Sequence, residues 1–203
     1  MKVKSIIFLC LIFISCSTQD KSFTTPTNDT PIYYTNINST LSEKTYEEKY
    51  QEGINKAIAY YGGYTGVYVY TYDTTGLDKT IDLFCKNQDE YTSNSYSECI
   101  SYESSSGHVK KDLETAQTHG FMTWLNSNNG LHSIFFALKD TIGDGEQEDT
   151  ASYLAHTAIH EYTHVFQKEK LDVDDRPYNQ IFNEGYAQMM GQYLGSLYDY
   201  TDF

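Results

Sequence analysis

The stretch "AIHEYTHVFQ", from Ala158 to Gln167, decides how the rest of this 203-residue chain is interpreted. His160 and His164 stand four residues apart, and Glu161 follows the first of them. On a helix this spacing places both imidazoles on one face, about 6 Å apart along the axis, so that both can reach one Zn²⁺. Glu161 lies to one side, where it can contact a water on the metal rather than the metal itself. The stretch therefore predicts a zinc site with Glu161 as general base.

The surrounding helix favours a buried site over an ordinary surface helix that carries two histidines by chance. We expect this helix to run from about residue 150 to 170. Apolar or half-apolar side chains surround much of its circumference: Tyr153, Leu154, Thr157, Ala158, Tyr162, Val165 and Phe166. A surface helix would have a cleaner polar face. Two imidazoles and a carboxylate inside such a helix need partners, and a metal ion supplies one.

A third ligand is required, because catalytic zinc usually has three protein ligands and an open fourth position. A second helix is predicted from about Tyr178 to Leu197, and it contains "NEGYA", with Glu184 twenty residues after His164. Together these segments resemble the gluzincin zinc metallopeptidases, in which an HExxH helix is followed by a glutamate ligand on the next helix. The resemblance implies that one Zn²⁺ per chain is held by His160, His164 and Glu184. It also implies Glu161 as the catalytic base and Ala187 as a small residue at the helix contact.

The resemblance extends over about 35 residues and implies a zincin-like α+β fold. In that fold a small mixed sheet packs on the two helices, and its edge strand would lie at about residues 131–139, in the segment of "HSIFFALKD" (His132 to Asp140). The free edge of that strand would receive a peptide or protein substrate in extended form. The expected activity is hydrolysis of peptide bonds by metal-activated water.

The sequence departs from the family in its histidines. Thermolysin-like members carry a later histidine that stabilises the tetrahedral intermediate, whereas all six histidines here lie at or before the motif. A tyrosine has this role in other gluzincins, so the oxyanion candidates are Tyr186 and Tyr193, with Tyr198 and Tyr200 also available. His156 is expected to support or cap the site rather than to be a fourth ligand. The remaining histidines, His108, His119 and His132, are expected to be ordinary polar residues.

Two other functions compete with the peptidase hypothesis. The first is a catalytically inactive zincin-like domain that retains metal and acts as a binding module. The second is an exported adhesion or structural protein in which the motif occurs by chance. Nucleic acid is not an expected partner, since the formal net charge is −14 and phosphate binding needs clustered Lys and Arg.

The first fifteen residues have the pattern of an export signal. Lys2 and Lys4 precede an apolar run, Ser5 to Ile14, that is too short to span a bilayer. "FISC", Phe13 to Cys16, resembles the bacterial lipoprotein cleavage box, which implies acyl chains on Cys16 and anchoring to a bacterial membrane or cell surface. The alternative is an ordinary signal peptide cut near Ser17. Residues 16–42, rich in Thr, Ser and Asn, are predicted to be a flexible tether, and residues 43–203 the domain.

Cys85 and Cys99 remain for a disulfide once Cys10 leaves with the signal and Cys16 takes lipid. Zinc binding by this pair is disfavoured, because the CxxC spacing is absent. Periodicity and composition predict helices at 42–61 and 77–87, strands at 64–72 and 131–140, and a polar loop at 88–107. For residues 108–130 a helix is favoured. The 20 tyrosines indicate packing and half-exposed strands, or else a sugar- or peptide-contacting surface.

Overall fold

The structure, a computed structural model, describes residues 29–37, 41–89, 95–115, 119–125, 131–138, 151–171 and 177–199. The predicted signal peptide, Cys16 and most of the predicted tether lie outside these ranges. The described elements are β1 (Ile32–Asn36), α1 (Leu41–Tyr61), β2 (Val67–Tyr72), α2 (Leu77–Asp89), α3 (Tyr96–Ser105), α4 (His108–Thr115), β3 (His119–Leu125), β4 (His132–Leu138), α5 (Ala151–Phe166) and α6 (Pro177–Asp199), with a π-helical turn at Gln167–Leu171 between the last two. In the described part of the chain no helix has both the length and the apolar character needed to cross a membrane.

A four-stranded mixed sheet of order β1-β2-β4-β3 forms the centre of the fold. β1, β2 and β4 are mutually parallel, and β3 pairs antiparallel with β4. Every residue of β2 and β4 is buried, because helices cover both faces of the sheet. The α+β prediction therefore holds at the level of fold class.

The alternation of side chains along β2 and β4 divides the interior into two clusters. On one face, Val67, Val69, Ile134, Phe136 and Leu138 pack against α1, α5 and α6. On the other face, tyrosines and phenylalanines of the same strands pack against α2, α3 and α4: Tyr68, Tyr70, Tyr72 and Phe135. Many of the tyrosines are thus core residues, and the hydroxyl of Tyr72 donates to the Val109 carbonyl at 2.8 Å.

Two sequence predictions about strands are wrong. "HSIFFALKD" is not the edge strand, because β4 lies inside the sheet between β2 and β3. Strand β3 pairs with the outer edge of β4. It lies within residues 108–130, for which a helix was predicted. Gly120 is a poor helix former, and the β-branched and aromatic Phe121, Thr123 and Trp124 favour a strand once β4 offers an edge for pairing.

The predicted tether is also too long, because β1 lies inside residues 16–42 and pairs with β2 in parallel. The side-chain amide of the buried Asn36 donates to Thr80 Oγ1 at 3.0 Å, which ties the end of β1 to α2. Polar composition alone predicted a flexible segment here. The strand forms because β2 provides an edge for pairing. That partner lies in another segment, so the composition of residues 16–42 does not indicate it.

The predicted loop at 88–107 contains a helix, α3. Its start has a capping box, in which the Ser95 side chain accepts from the Glu98 backbone and Glu98 bonds back to Ser95. The predicted disulfide between Cys85 and Cys99 is present and links α3 to α2. The capping signal "SYSE", Ser95 to Glu98, was present in the sequence but was outweighed by the polar composition.

Candidate metal centre

The apolar side of helix α5 packs into the core, which leaves His160 and His164 facing α6. Leu154, Ala158, Ile159, Tyr162 and Val165 are buried together with residues of α1 and the sheet. The Tyr162 hydroxyl donates to the Gly62 carbonyl at the end of α1 at 3.0 Å. The side chains of His160 and His164 remain 17% and 13% exposed, so a ligand from solvent can reach both imidazoles.

The structure brings together the three residues predicted as metal ligands. The Nε2 atoms of His160 and His164 are 3.1 Å apart. Glu184 Oε2 lies 3.3 Å from His160 Nε2 and 3.6 Å from His164 Nε2. The Glu184 side chain is 56% exposed, so the cluster opens to solvent on the α6 side. Of the groups of His, Cys, Asp and Glu in the described residues, this is the one that converges well enough to hold a metal ion.

Small residues on α6 allow Glu184 to approach α5. Ala187 is fully buried, and Gly191 and Gly195 continue the same face at four-residue steps. A Cβ at Gly191 would stand 2.8 Å from the His156 carbonyl oxygen, and a Cβ at Gly195 would stand 1.9 Å from His156 Nε2. Ala187 was predicted at the helix contact, but Gly191 and Gly195 were not, although their spacing of four residues was an available signal.

We expect Gly191→Ala to destabilise the fold by about 1–3 kcal/mol, because the added methyl group meets backbone and α6 must move away from α5. The same movement takes Glu184 away from the histidines, so metal affinity should fall as well. Urea denaturation of the metal-free protein gives the first effect, and titration with zinc gives the second.

Gly185→Ala is the matched control for this substitution. Gly185 is exposed next to Glu184 on the same helix, and a Cβ there would have nothing within 4 Å. Replacing a helical glycine at an open position should stabilise by about 0.5–1 kcal/mol and leave metal affinity unchanged. If both substitutions had the same effect, close packing at Gly191 would not be what sets the position of Glu184.

Glu161 lies beside the three converging residues without being one of them. It is 7% exposed, in contrast to Glu184. An acid from another segment is close enough to interact with it: burial, and then the charge of Glu161, raise the pKa of the Asp112 carboxyl to about 7. Asp112 Oδ2 is buried, and no hydrogen-bond partner for this atom lies among the described residues. Nothing in the sequence identified Asp112, since α4 is brought there only by the fold.

A cavity of about 280 Å³ lies between α5 and α6 beside the cluster. The cavity is lined by the side of α5 that carries His160 and by the polar face of α6: His156, Thr157, His160, Glu161, Gln188, Gly191 and Gln192. The missing side chain of Gly191 leaves this space open. Solvent and a small chemical group can therefore approach both His160 and Glu161.

The two oxyanion candidates do not share the face of α6 that carries Glu184. At 3.6 residues per turn, Tyr186 and Tyr193 lie about 200° and 180° round α6 from Glu184. Tyr186 stacks on Phe182, with ring centroids 6.3 Å apart, and Tyr193 is 51% exposed. The side chains of Tyr198 and Tyr200 lie outside the described part of the chain.

The other histidines occupy varied positions. His156 is not in the converging group, and its ring packs against Gly195. His108 is exposed at the start of α4, and only the backbone of His119 is described. His132 differs from the expected ordinary polar residue, because its side chain is 1% exposed and its Nε2 lies 2.6 Å from Glu169 Oε1.

Gln167 is a residue at the site that the sequence analysis did not single out. It is 2% exposed and begins the π-helical turn after α5. Its Oε1 lies 2.9 Å from His164 Nδ1, and its Nε2 donates to the Asn183 carbonyl at 2.9 Å. It therefore connects one predicted ligand to the residue that precedes another.

In comparisons with known proteins, no family model matches the chain, and neither does any curated protein or solved structure. The functional proposal therefore depends on the residues of this chain and their geometry.

Proposed function

We propose that this protein is a zinc-dependent peptidase of gluzincin type with a zincin-like fold, in which His160, His164 and Glu184 hold the metal and Glu161 is the catalytic base. The observation that carries the proposal is the convergence of these three donor groups beside a buried carboxylate.

The spacing of the donor atoms supports zinc as the metal. Tetrahedral zinc with ligand atoms at about 2.0–2.2 Å places those atoms about 3.3–3.6 Å from one another. The separations in the cluster are 3.1, 3.3 and 3.6 Å. Two imidazole nitrogens, one carboxylate oxygen and an open fourth side are also a donor set typical of catalytic rather than structural zinc.

Zinc, when bound, lowers the pKa of water toward about 7 and polarises the substrate carbonyl. Glu161 takes the proton from the attacking water and later passes it to the leaving amine. The burial of Glu161 supports this role, because few solvent molecules reach a buried carboxylate and compete with it for the proton of the attacking water. Neither Tyr186 nor Tyr193 shares the face of α6 that carries Glu184, so we assign stabilisation of the oxyanion to a backbone donor.

The substrate is a peptide or protein segment in extended form. β3 is the antiparallel edge strand of the sheet and lies against α5. A substrate strand that pairs with the free edge of β3 would run alongside the helix that carries His160 and Glu161. In this proposal β3 replaces "HSIFFALKD" as the strand that binds substrate.

We propose further that the protein is exported and anchored by lipid on Cys16 to a bacterial membrane or cell surface. The disulfide between Cys85 and Cys99 supports an oxidising compartment, where such bonds persist.

Metal analysis combined with a cleavage assay tests the proposed activity. We expect about one zinc per chain, lost in His164→Ala, and cleavage of casein or of a peptide library that stops when a chelator is added. His108→Ala is the matched control, because this exposed histidine lies on α4 outside the converging group and should change neither zinc content nor cleavage. A wild-type protein without zinc would contradict the proposed metal site, and a zinc-loaded protein without cleavage would contradict the peptidase activity.

A metal-retaining binding module without activity is the second candidate. Two observations favour it: neither Tyr186 nor Tyr193 shares the face of α6 that carries Glu184, and α6 exposes several large apolar side chains, Ile181, Phe182, Met189, Tyr193 and Leu197. Exposed apolar patches of this kind mark interaction surfaces. Zinc binding with no cleavage in the assay above would favour this candidate over the peptidase.

A further inference from the structure

We infer that Gln167 is a positioning residue of the proposed metal centre: it fixes the tautomer of His164 and holds α6 at the residue before Glu184. The inference rests on the proposed zinc site for its functional meaning, but the hydrogen bonds that carry it belong to the described structure.

A backbone carbonyl determines how the Gln167 side chain is oriented. The Asn183 carbonyl can only accept a hydrogen bond, so the amide nitrogen of Gln167 must face it, at 2.9 Å. The amide oxygen therefore faces His164 Nδ1, at 2.9 Å. Because that oxygen can only accept, His164 Nδ1 must carry a proton. In the neutral imidazole the lone pair is then on Nε2, the atom that faces His160 and Glu184.

The π-helical turn holds Gln167 in this place. Turns of this type occur mostly as local insertions in α-helices, frequently at functional sites. The turn is attached to the sheet by a contact of 2.6 Å between Glu169 Oε1 and Nε2 of the buried His132 on β4. Gln167 and Glu169 therefore tie the end of α5 both to α6 and to the sheet, which leaves His164 and Glu184 little freedom to separate.

For a metal centre, the consequence is that His164 has the required tautomer and ring orientation before the metal binds. A histidine that donates its other ring proton to a fixed acceptor keeps its ligating nitrogen free and correctly turned. Loss of such a partner typically weakens metal binding by about 10- to 100-fold. The partner is usually sought among carboxylates and backbone carbonyls, so a glutamine three residues after the second histidine gave no strong sequence signal.

The first test needs no metal. Long-range proton–nitrogen NMR spectra of the imidazoles in the metal-free protein distinguish the Nδ1–H from the Nε2–H tautomer. We expect His164 to be in the Nδ1–H form in the wild type and to be a mixture of tautomers in Gln167→Met, which keeps volume but removes both hydrogen bonds. An unchanged tautomer in Gln167→Met would overturn the inference.

The second test measures zinc affinity by competition with a chelator. Gln167→Met should raise the zinc dissociation constant by about 10- to 100-fold. Gln167→Glu should keep Nδ1 protonated and restore much of the affinity, because it retains an oxygen toward His164 and loses only the donor to Asn183. If both variants lost the same zinc affinity, Gln167 would contribute packing only and would not position His164.

Gln88→Met controls for the loss of a buried glutamine. Gln88 is 3% exposed on α2, on the other face of the sheet, and its amide atoms have no hydrogen-bond partner among the described residues. This variant should change neither the His164 tautomer nor zinc affinity. A wild type that binds no zinc would contradict the proposed function, whereas the NMR result would still decide the role of Gln167.

Discussion

Glu161→Gln should reduce peptide hydrolysis by a factor of about 10² to 10⁴ while leaving about one zinc per chain, because proton transfer by a positioned side chain contributes about that much to the rate. The substitution replaces a carboxylate by an amide of nearly the same shape, which cannot accept the proton from the attacking water. Glu161 lies outside the three converging ligands, so metal binding should survive. Zinc content and kcat/KM measured on the same preparation separate the two effects.

Glu48→Gln is the matched control, because it makes the same chemical change at an exposed position on α1. It should have wild-type zinc content and wild-type cleavage. If Glu161→Gln cleaved as fast as the wild type, Glu161 would not be the base. If it lost zinc instead, Glu161 would be acting on the metal ligands rather than on the water proton.

The parts of the fold that were predictable are those with a local signal. The periodic apolar positions of α1 and the β-branched and aromatic runs of β2 and β4 are signals of this kind. Strands β1 and β3 could not be recognised in the same way, since their hydrogen-bond partners lie in other segments. The disulfide was predicted by counting cysteines, because the export and lipidation that we expect would leave a single pair.

The residues of the site divide in the same way, into those with a sequence signal and those without one. His160 and His164 are one helical turn apart, and Glu184 was recognised from its distance along the chain, so all three could be named before the fold was known. The supporting residues carry no comparable pattern. Gly191 matters because α5 passes close to it, and Gln167 because Asn183 offers it a carbonyl. Those contacts exist only after α6 folds back along α5.

Asp112→Asn should stabilise the metal-free protein by up to about 4 kcal/mol at pH 8 but by only about 1 kcal/mol at pH 4.5. The pKa of Asp112 is raised from 3.8 to about 7, first by burial and then by the charge of Glu161. Well below pH 3.8 the carboxyl is protonated in both states and contributes no difference. As the pH rises from about 4 to 7, the unfolded chain loses this proton first, so the wild type loses stability across that window. Asparagine does not ionise, and the variant therefore escapes the loss.

Urea denaturation at several pH values between 4.5 and 8, with a chelator present, measures this difference. The chelator is needed because zinc binding is itself pH-dependent and would add to the apparent stability. Glu114→Gln is the control on the same helix: its side chain is 61% exposed, so its effect should be small and independent of pH. A constant difference between Asp112→Asn and the wild type would mean that Asp112 is already ionised in the folded protein. In that case its carboxylate must have a partner that offsets its burial beside Glu161.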